Sequence, residues 1–193
     1  MNPLKLQIII SSVRPNRFGD KPAAWVAALA KEAGFEVEVV DLKDHRLPDY
    51  NEKGSPNSLG GKLENEDGMA WGRKVAGADA FIIVTPEYNH GYPASLKNAI
   101  DWTYAGWNNK PVGFVAYGTV GGARVVEQLR AVVAELQMAD VRGAVHIIRP
   151  WELLDAQGNL KPGAFDIHAD GAKAMLGQLA LWGGALKVAR GAN

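Results

Sequence analysis

Three short segments hold the residues that could do chemistry in this chain. The first is Ser11-Ser12-Val13-Arg14-Pro15-Asn16-Arg17-Phe18-Gly19. It offers hydroxyls, two guanidinium groups and the amides of a helix start. These are the parts of an anion cradle, because a helix N-terminus carries partial positive charge and arginine grips phosphate oxygens in pairs. Neither the P-loop pattern nor the Gly-x-Gly-x-x-Gly turn is present, so a terminal monophosphate suits the segment better than a triphosphate or pyrophosphate. A solvated basic turn is the alternative, and the helix-terminal position favours the anion.

The second segment is Pro86-Glu87-Tyr88-Asn89-His90-Gly91-Tyr92-Pro93, and the third is Gly118-Thr119-Val120-Gly121-Gly122. Two prolines and a glycine force the second into an irregular, exposed turn. Its aromatic ring, amide and open backbone suit a flat ligand that accepts and donates hydrogen bonds. A tight strand-to-helix connection with Tyr88 merely packing would use the same residues. In the third, glycines let backbone amides approach a ligand closely. Glycine pairs are also ordinary turn chemistry, so its weight comes from position. The histidines, at 45, 90, 146 and 168, lack metal-ligand spacing, and no zinc site is expected. With no cysteine, disulfides and thiol catalysis are excluded.

Position follows from the elements around these segments. Apolar, strand-like runs span Leu4–Ile10, Glu36–Asp41, Ala80–Thr85, Pro111–Tyr117 and Val141–Ile148. Between them apolar residues recur every three to four positions: Trp25, Val26, Leu29 and Ala33; Leu96, Ala99, Ile100 and Tyr104; Val125, Val126, Leu129, Val132 and Val133. A last helix is expected from about Ile167 to Leu186. Strands alternating with helices imply a parallel sheet covered on both faces, and five strands suggest the flavodoxin-like, doubly wound order 2-1-3-4-5. In that order strands 1, 3 and 4 are neighbours, and the three segments all leave their carboxyl ends, where such sheets bind ligands.

One stretch, Leu42 to about Glu64, has prolines and glycines but little periodicity. Structureless stretches of this length are often functional. A mobile connection, a flap over the site or a subunit contact anchored by Leu47, Pro48 and Tyr50 are the readings. At 193 residues the chain suits one domain. Net charge is zero and no basic block stands out, so nucleic acid is not expected as a partner. No apolar run approaches membrane-spanning length, and a cytoplasmic protein is expected.

At the three segments the chain resembles the NADPH-dependent FMN reductase family, a flavodoxin-like group that includes quinone, azo-dye and chromate reductases. The resemblance runs from about Leu6 to Ile148. It is most specific at Pro86-Glu87-Tyr88-Asn89 followed by Leu96-Lys97-Asn98-Ala99-Ile100-Asp101-Trp102, with support from Ser12-x-Arg14 and Gly121-Gly122. It implies an FMN cofactor with NADPH or NADH as hydride donor. Ser12, Arg14, Arg17, Phe18 and Gly19 would surround the phosphate. Pro86, Glu87, Tyr88 and Asn89, with His90 and Gly91 completing the turn, would follow the ribityl chain and ring edge. Gly118, Thr119, Val120, Gly121 and Gly122 would face the pyrimidine end, their amides stabilising negative charge on the reduced ring. Ser11 stands where the family often has glycine, and Thr119-Val120 replaces a frequent Ser-Ala pair. The chemistry belongs to the cofactor, so no catalytic side chain is assigned. A quinone, free flavin or similar small molecule would be the acceptor. The resemblance also implies a homodimer or homotetramer, for which Trp102, Tyr104 and Trp107 could supply aromatic surface, or else core packing. The competing reading is a flavodoxin-type electron carrier. Carriers that dock by charge tend to be acidic, and this chain is neutral.

Overall fold

Side-chain alternation along the strands divides the apolar residues between two layers. The computed structural model describes residues 2–191. Its strands are β1 (Lys5–Ile10), β2 (Glu36–Asp41), β3 (Ala80–Pro86), β4 (Pro111–Gly118) and β5 (Ala139–Ile148). Its helices are α1 (Asp20–Glu32), α2 (Glu66–Ala76), α3 (Ala94–Asp101), α4 (Ala123–Glu135) and α5 (Ala169–Gly191). The strands form one sheet in the order β2-β1-β3-β4-β5, with every pairing parallel. This is the expected doubly wound arrangement. Ile9, Phe81, Ile83, Phe114 and Ala116 point to one face and pack under α2, α3 and α4. Leu6, Ile8, Ile10, Ile82, Val84, Val115 and Tyr117 point to the other, under α1 and α5. β3 is buried along its whole length, as a strand covered on both faces must be.

The structure corrects several sequence expectations. Helix α2 lies where no helix is predicted. α1 begins five residues before Trp25, β5 begins at Ala139, and α5 runs on to Gly191. α3 stops at Asp101, so Tyr104 falls beyond it. Trp102 and Trp107 are fully buried and Tyr104 packs on the same core, which selects core packing over exposed aromatic surface. The stretch from Leu42 is tied to α3 as a strap. Asn98 Nδ2 donates to the Pro48 carbonyl at 2.8 Å, Trp102 Nε1 to the same carbonyl at 2.8 Å, and the Tyr50 ring lies 4.9 Å from that of Trp102.

Lys110 shows how the core constrains charge. It is 5% exposed, and its ammonium donates to the Val75 and Ala76 carbonyls at the end of α2, at 3.1 and 2.9 Å. Burial, with a smaller push from Arg190, lowers its pKa to about 8. Below pH 8 the group is protonated in both states. Between 8 and its ordinary value the unfolded chain binds more protons, so stability contributed by this site rises with pH. Between pH 8 and 10 wild type should therefore gain about 2 kcal/mol relative to Lys110→Met in urea unfolding. A pH-independent difference between the two would refute the depressed value.

Candidate functional site

The loops after β1, β3 and β4 meet at one cavity of about 350 Å³ at the carboxyl end of the sheet. Arg14, Pro15, Asn16, Arg17 and Phe18 line it from the first loop, Pro86, Glu87 and Tyr88 from the second, and Tyr117, Gly118 and Thr119 from the third. Pro150, Trp151 and Leu154 close a fourth side. These last three were missed by sequence reasoning. The only available signal was an apolar cluster following the fifth strand. No residue of the strap over α3 lines the cavity.

At the first loop, α1 starts without a side-chain cap on Gly19; the Lys21 amide donates to the Phe18 carbonyl at 3.0 Å, and Pro22 has no amide N–H. The Ser12 hydroxyl is buried and shares a hydrogen bond of 2.8 Å with the Tyr88 hydroxyl, tying the first loop to the second. The Ser11 hydroxyl is also buried and has no protein partner. Arg14 is exposed, its guanidinium 5.6 Å from the centre of the Tyr88 ring, and among the described residues no carboxylate pairs with it. Gly19 sits against Tyr117, whose hydroxyl would lie 2.9 Å from an added Cβ. Phe18 packs edge-on to Tyr117 at 5.2 Å, under the cavity floor. Burial raises the pKa of the Tyr117 phenol, which therefore stays neutral.

Arg17 departs from expectation. Its side chain is only 6% exposed, and its guanidinium turns away to carboxylates of Asp20 and Asp41 and to the Ser12 carbonyl. Arg17 lines the cavity where the resemblance placed it, but its guanidinium is engaged by protein acceptors.

The second loop contains a tight turn closed by reciprocal Tyr88 and Gly91 backbone bonds of 2.9 Å. Asn89 and His90 occupy its centre at φ 50° and 70°, both in the left-handed region that such a turn demands. Both are exposed, and with Gly91 they lie outside the cavity wall. The Glu87 carboxylate, 4% exposed, is ion-paired with Arg124 and accepts from the Arg124 amide at 3.2 Å. It thus occupies the N-terminus of α4. That finding narrows the expectation that this helix start is free to stabilise charge on a ligand.

In the third loop Gly121 and Gly122 adopt φ 71° and 69° and are buried beneath the wall that Gly118 and Thr119 form. Val120 is exposed beyond it. His146 Nδ1 donates to the Gly121 carbonyl at 3.0 Å, fixing the loop from β5. Among the described residues no cluster of histidine and carboxylate side chains could hold a metal ion.

The cavity therefore fits a group with an anionic end and a flat body. Arg14, with no carboxylate partner among the described residues, marks the anionic end. Tyr88, Gly118 and Trp151 flank the rest. No described helix is long and apolar enough to cross a membrane.

Comparison with known proteins agrees with this chemistry. Residues 4–152 match the family model described as NADPH-dependent FMN reductase. An NAD(P)H-dependent FMN reductase of Schizosaccharomyces pombe is 44% identical over 135 residues, covering 69% of this chain and 68% of that protein. A 2-hydroxy-1,4-benzoquinone reductase of a Burkholderia species is 30% identical over 165 residues, covering 81% and 85%. Among solved structures, the NAD(P)H:(acceptor) oxidoreductase FerB of Paracoccus denitrificans superposes with a TM-score of 0.72 at 22% identity, covering 94% of this chain and 98% of that one. That likeness bears on the fold. With three quarters of its length matched, the chain belongs to the NADPH-dependent FMN reductase family.

Proposed function

We propose that the protein is an FMN-dependent oxidoreductase that takes hydride from NADPH or NADH and delivers it to a small acceptor of the quinone class. The observation that carries this reading is the convergence of three loops on one cavity, with Arg14 free of a carboxylate partner at one end. Named quinone reductases among the relatives support the acceptor class. When bound, FMN supplies the hydride-accepting and hydride-donating centre, which is why no catalytic acid, base or nucleophile is needed.

The chain's own residues have other tasks. Arg14 would hold the phosphate. The Ser12–Tyr88 hydrogen bond keeps the first two loops in register, so that both ends of the cofactor are held at once. Gly118 leaves room for Glu87, whose Cβ would lie 3.3 Å from an added Cβ, and so lets the second and third loops pack closely. Glu87 and Arg124 neutralise one another beside the third loop and fix the start of α4. Trp151, 55% exposed, gives the cavity an apolar rim suited to a flat, exchanging reactant. A cytoplasmic homodimer or homotetramer is part of the same reading.

The purified protein should bind FMN at least tenfold more tightly than riboflavin, because charge-assisted bonds to phosphate are worth roughly 1.5–3 kcal/mol each. Arg14→Ala should reduce that preference while leaving stability within about 1 kcal/mol, as expected of an exposed side chain. Either nicotinamide should bleach the flavin under anaerobic conditions, and a quinone should restore the colour. Should both nicotinamides fail while a reduced redox protein succeeds, the protein is an electron carrier and the reductase reading is wrong.

A further inference from the structure

We infer that Asp41 is a positioning residue for the phosphate-binding loop, acting through Arg17. Arg17 serves the phosphate by holding the loop, not by binding the anion. This rests on the FMN-dependent reading above and goes beyond it in assigning how the loop is held.

The first argument is a count of donors. A guanidinium has five N–H groups. In Arg17, Nε faces Asp20 at 2.8 Å. One Nη1 hydrogen faces the Ser12 carbonyl at 2.5 Å and the other Asp41 at 2.7 Å. Nη2 faces Asp41 and, at 2.6 Å, Asp20. Four of the five donors have hydrogen-bond partners and the fifth, on Nη2, faces the Asp20 carboxylate, so the protein itself takes up the fork.

The second argument is placement. β1 pairs with β2 so that Ile10 lies opposite Asp41, the last residue of its strand. Asp41 is thus fixed by the sheet at the point where the first loop departs. Arg17 joins that fixed carboxylate to the Ser12 carbonyl inside the loop and to Asp20 in the first turn of α1. The link spans the loop from its start to its end. The carboxylate is itself held, accepting from the Lys43 amide at 2.9 Å. Burial favours its neutral form, but the bonds from Arg17 and Lys43 outweigh this and keep its pKa below the usual value.

The third argument is the sign of the charge. Asp41 and Asp20 bring two negative charges toward a site for an anion, which by Coulomb's law alone weakens binding. A direct electrostatic role and a positioning role therefore predict opposite results when Asp41 is neutralised.

The test measures FMN and riboflavin dissociation constants by fluorescence quenching for wild type, Asp41→Ala, Arg17→Ala and the double variant, with thermal unfolding alongside. Positioning predicts that Asp41→Ala weakens FMN at least tenfold and riboflavin less than threefold. The double variant should be no more than twofold weaker than Arg17→Ala, because both changes break one link. Arg17→Lys should not restore binding, since an ammonium cannot reproduce the fork. Tighter or unchanged FMN binding in Asp41→Ala overturns the inference. So do equal losses for FMN and riboflavin, or losses that multiply in the double variant. If Asp41→Ala does not fold, Asp41→Asn gives the same comparison with the same signs. Wild type that fails to prefer FMN would instead sink the cofactor reading itself, and that result is read without any variant.

Discussion

Gly122→Ala is expected to destabilise the protein by about 3 kcal/mol and to weaken FMN binding at least tenfold, combining backbone strain with overpacking. Gly122 holds φ 69°, where an L side chain is strained. A Cβ there would also lie 2.6 Å from Ala116 Cβ and 3.0 Å from the Tyr117 amide. Both neighbours belong to the interior strand β4 and cannot swing aside, so the loop must move. Movement displaces Gly118 and Thr119, which form the cavity wall. Gly158→Ala separates the two contributions. Gly158 has φ 81° with nothing within 4 Å of an added Cβ, so only backbone strain, about 1 kcal/mol, should appear. Urea unfolding of the two variants checks this. Equal losses would mean that the contact with β4 is relieved without cost.

The second large effect is expected at Gly68. A helix-interior glycine normally gains about 1 kcal/mol on replacement by alanine. Here the added Cβ would fall 2.2 Å from Cε3 of Trp102, a fully buried ring held by its own hydrogen bond to Pro48. Overpacking a rigid core costs about 1–3 kcal/mol and occasionally more. The overlap is severe enough to win, for a net loss of about 2–3 kcal/mol and a fall in Tm of about 4–12 °C. Gly72, one turn further along α2, has its nearest neighbour at 3.6 Å, the Thr103 hydroxyl. Gly72→Ala should therefore be neutral or stabilising by up to about 1 kcal/mol. Calorimetry on both variants tests the opposite signs. A stabilised Gly68→Ala would show that Trp102 can shift, and that the strap above it is looser than its hydrogen bonds imply.

What the sequence determined by itself is what depends on neighbours along the chain. Phe81 to Val84 form a continuous apolar run, which only a strand covered on both faces can bury. Leu96, Ala99 and Ile100 mark the inner face of α3 by spacing alone. The alternation of such elements implies a parallel sheet, which puts the loops at Ser11, Pro86 and Gly118 at one end of it. Helix α2 was hidden because its buried stripe is Gly68, Trp71 and Val75. A glycine reads as a breaker until the Trp102 ring that fills its place is known. Asp41 could not be paired with Arg17 from sequence, because β1–β2 register brings together residues 24 positions apart. Trp151 joins the cavity only because β5 lies beside β4. Local periodicity is written in residue order, whereas which distant side chains meet depends on register and crossover geometry, and the roles of Arg17 and Glu87 at the site were decided there.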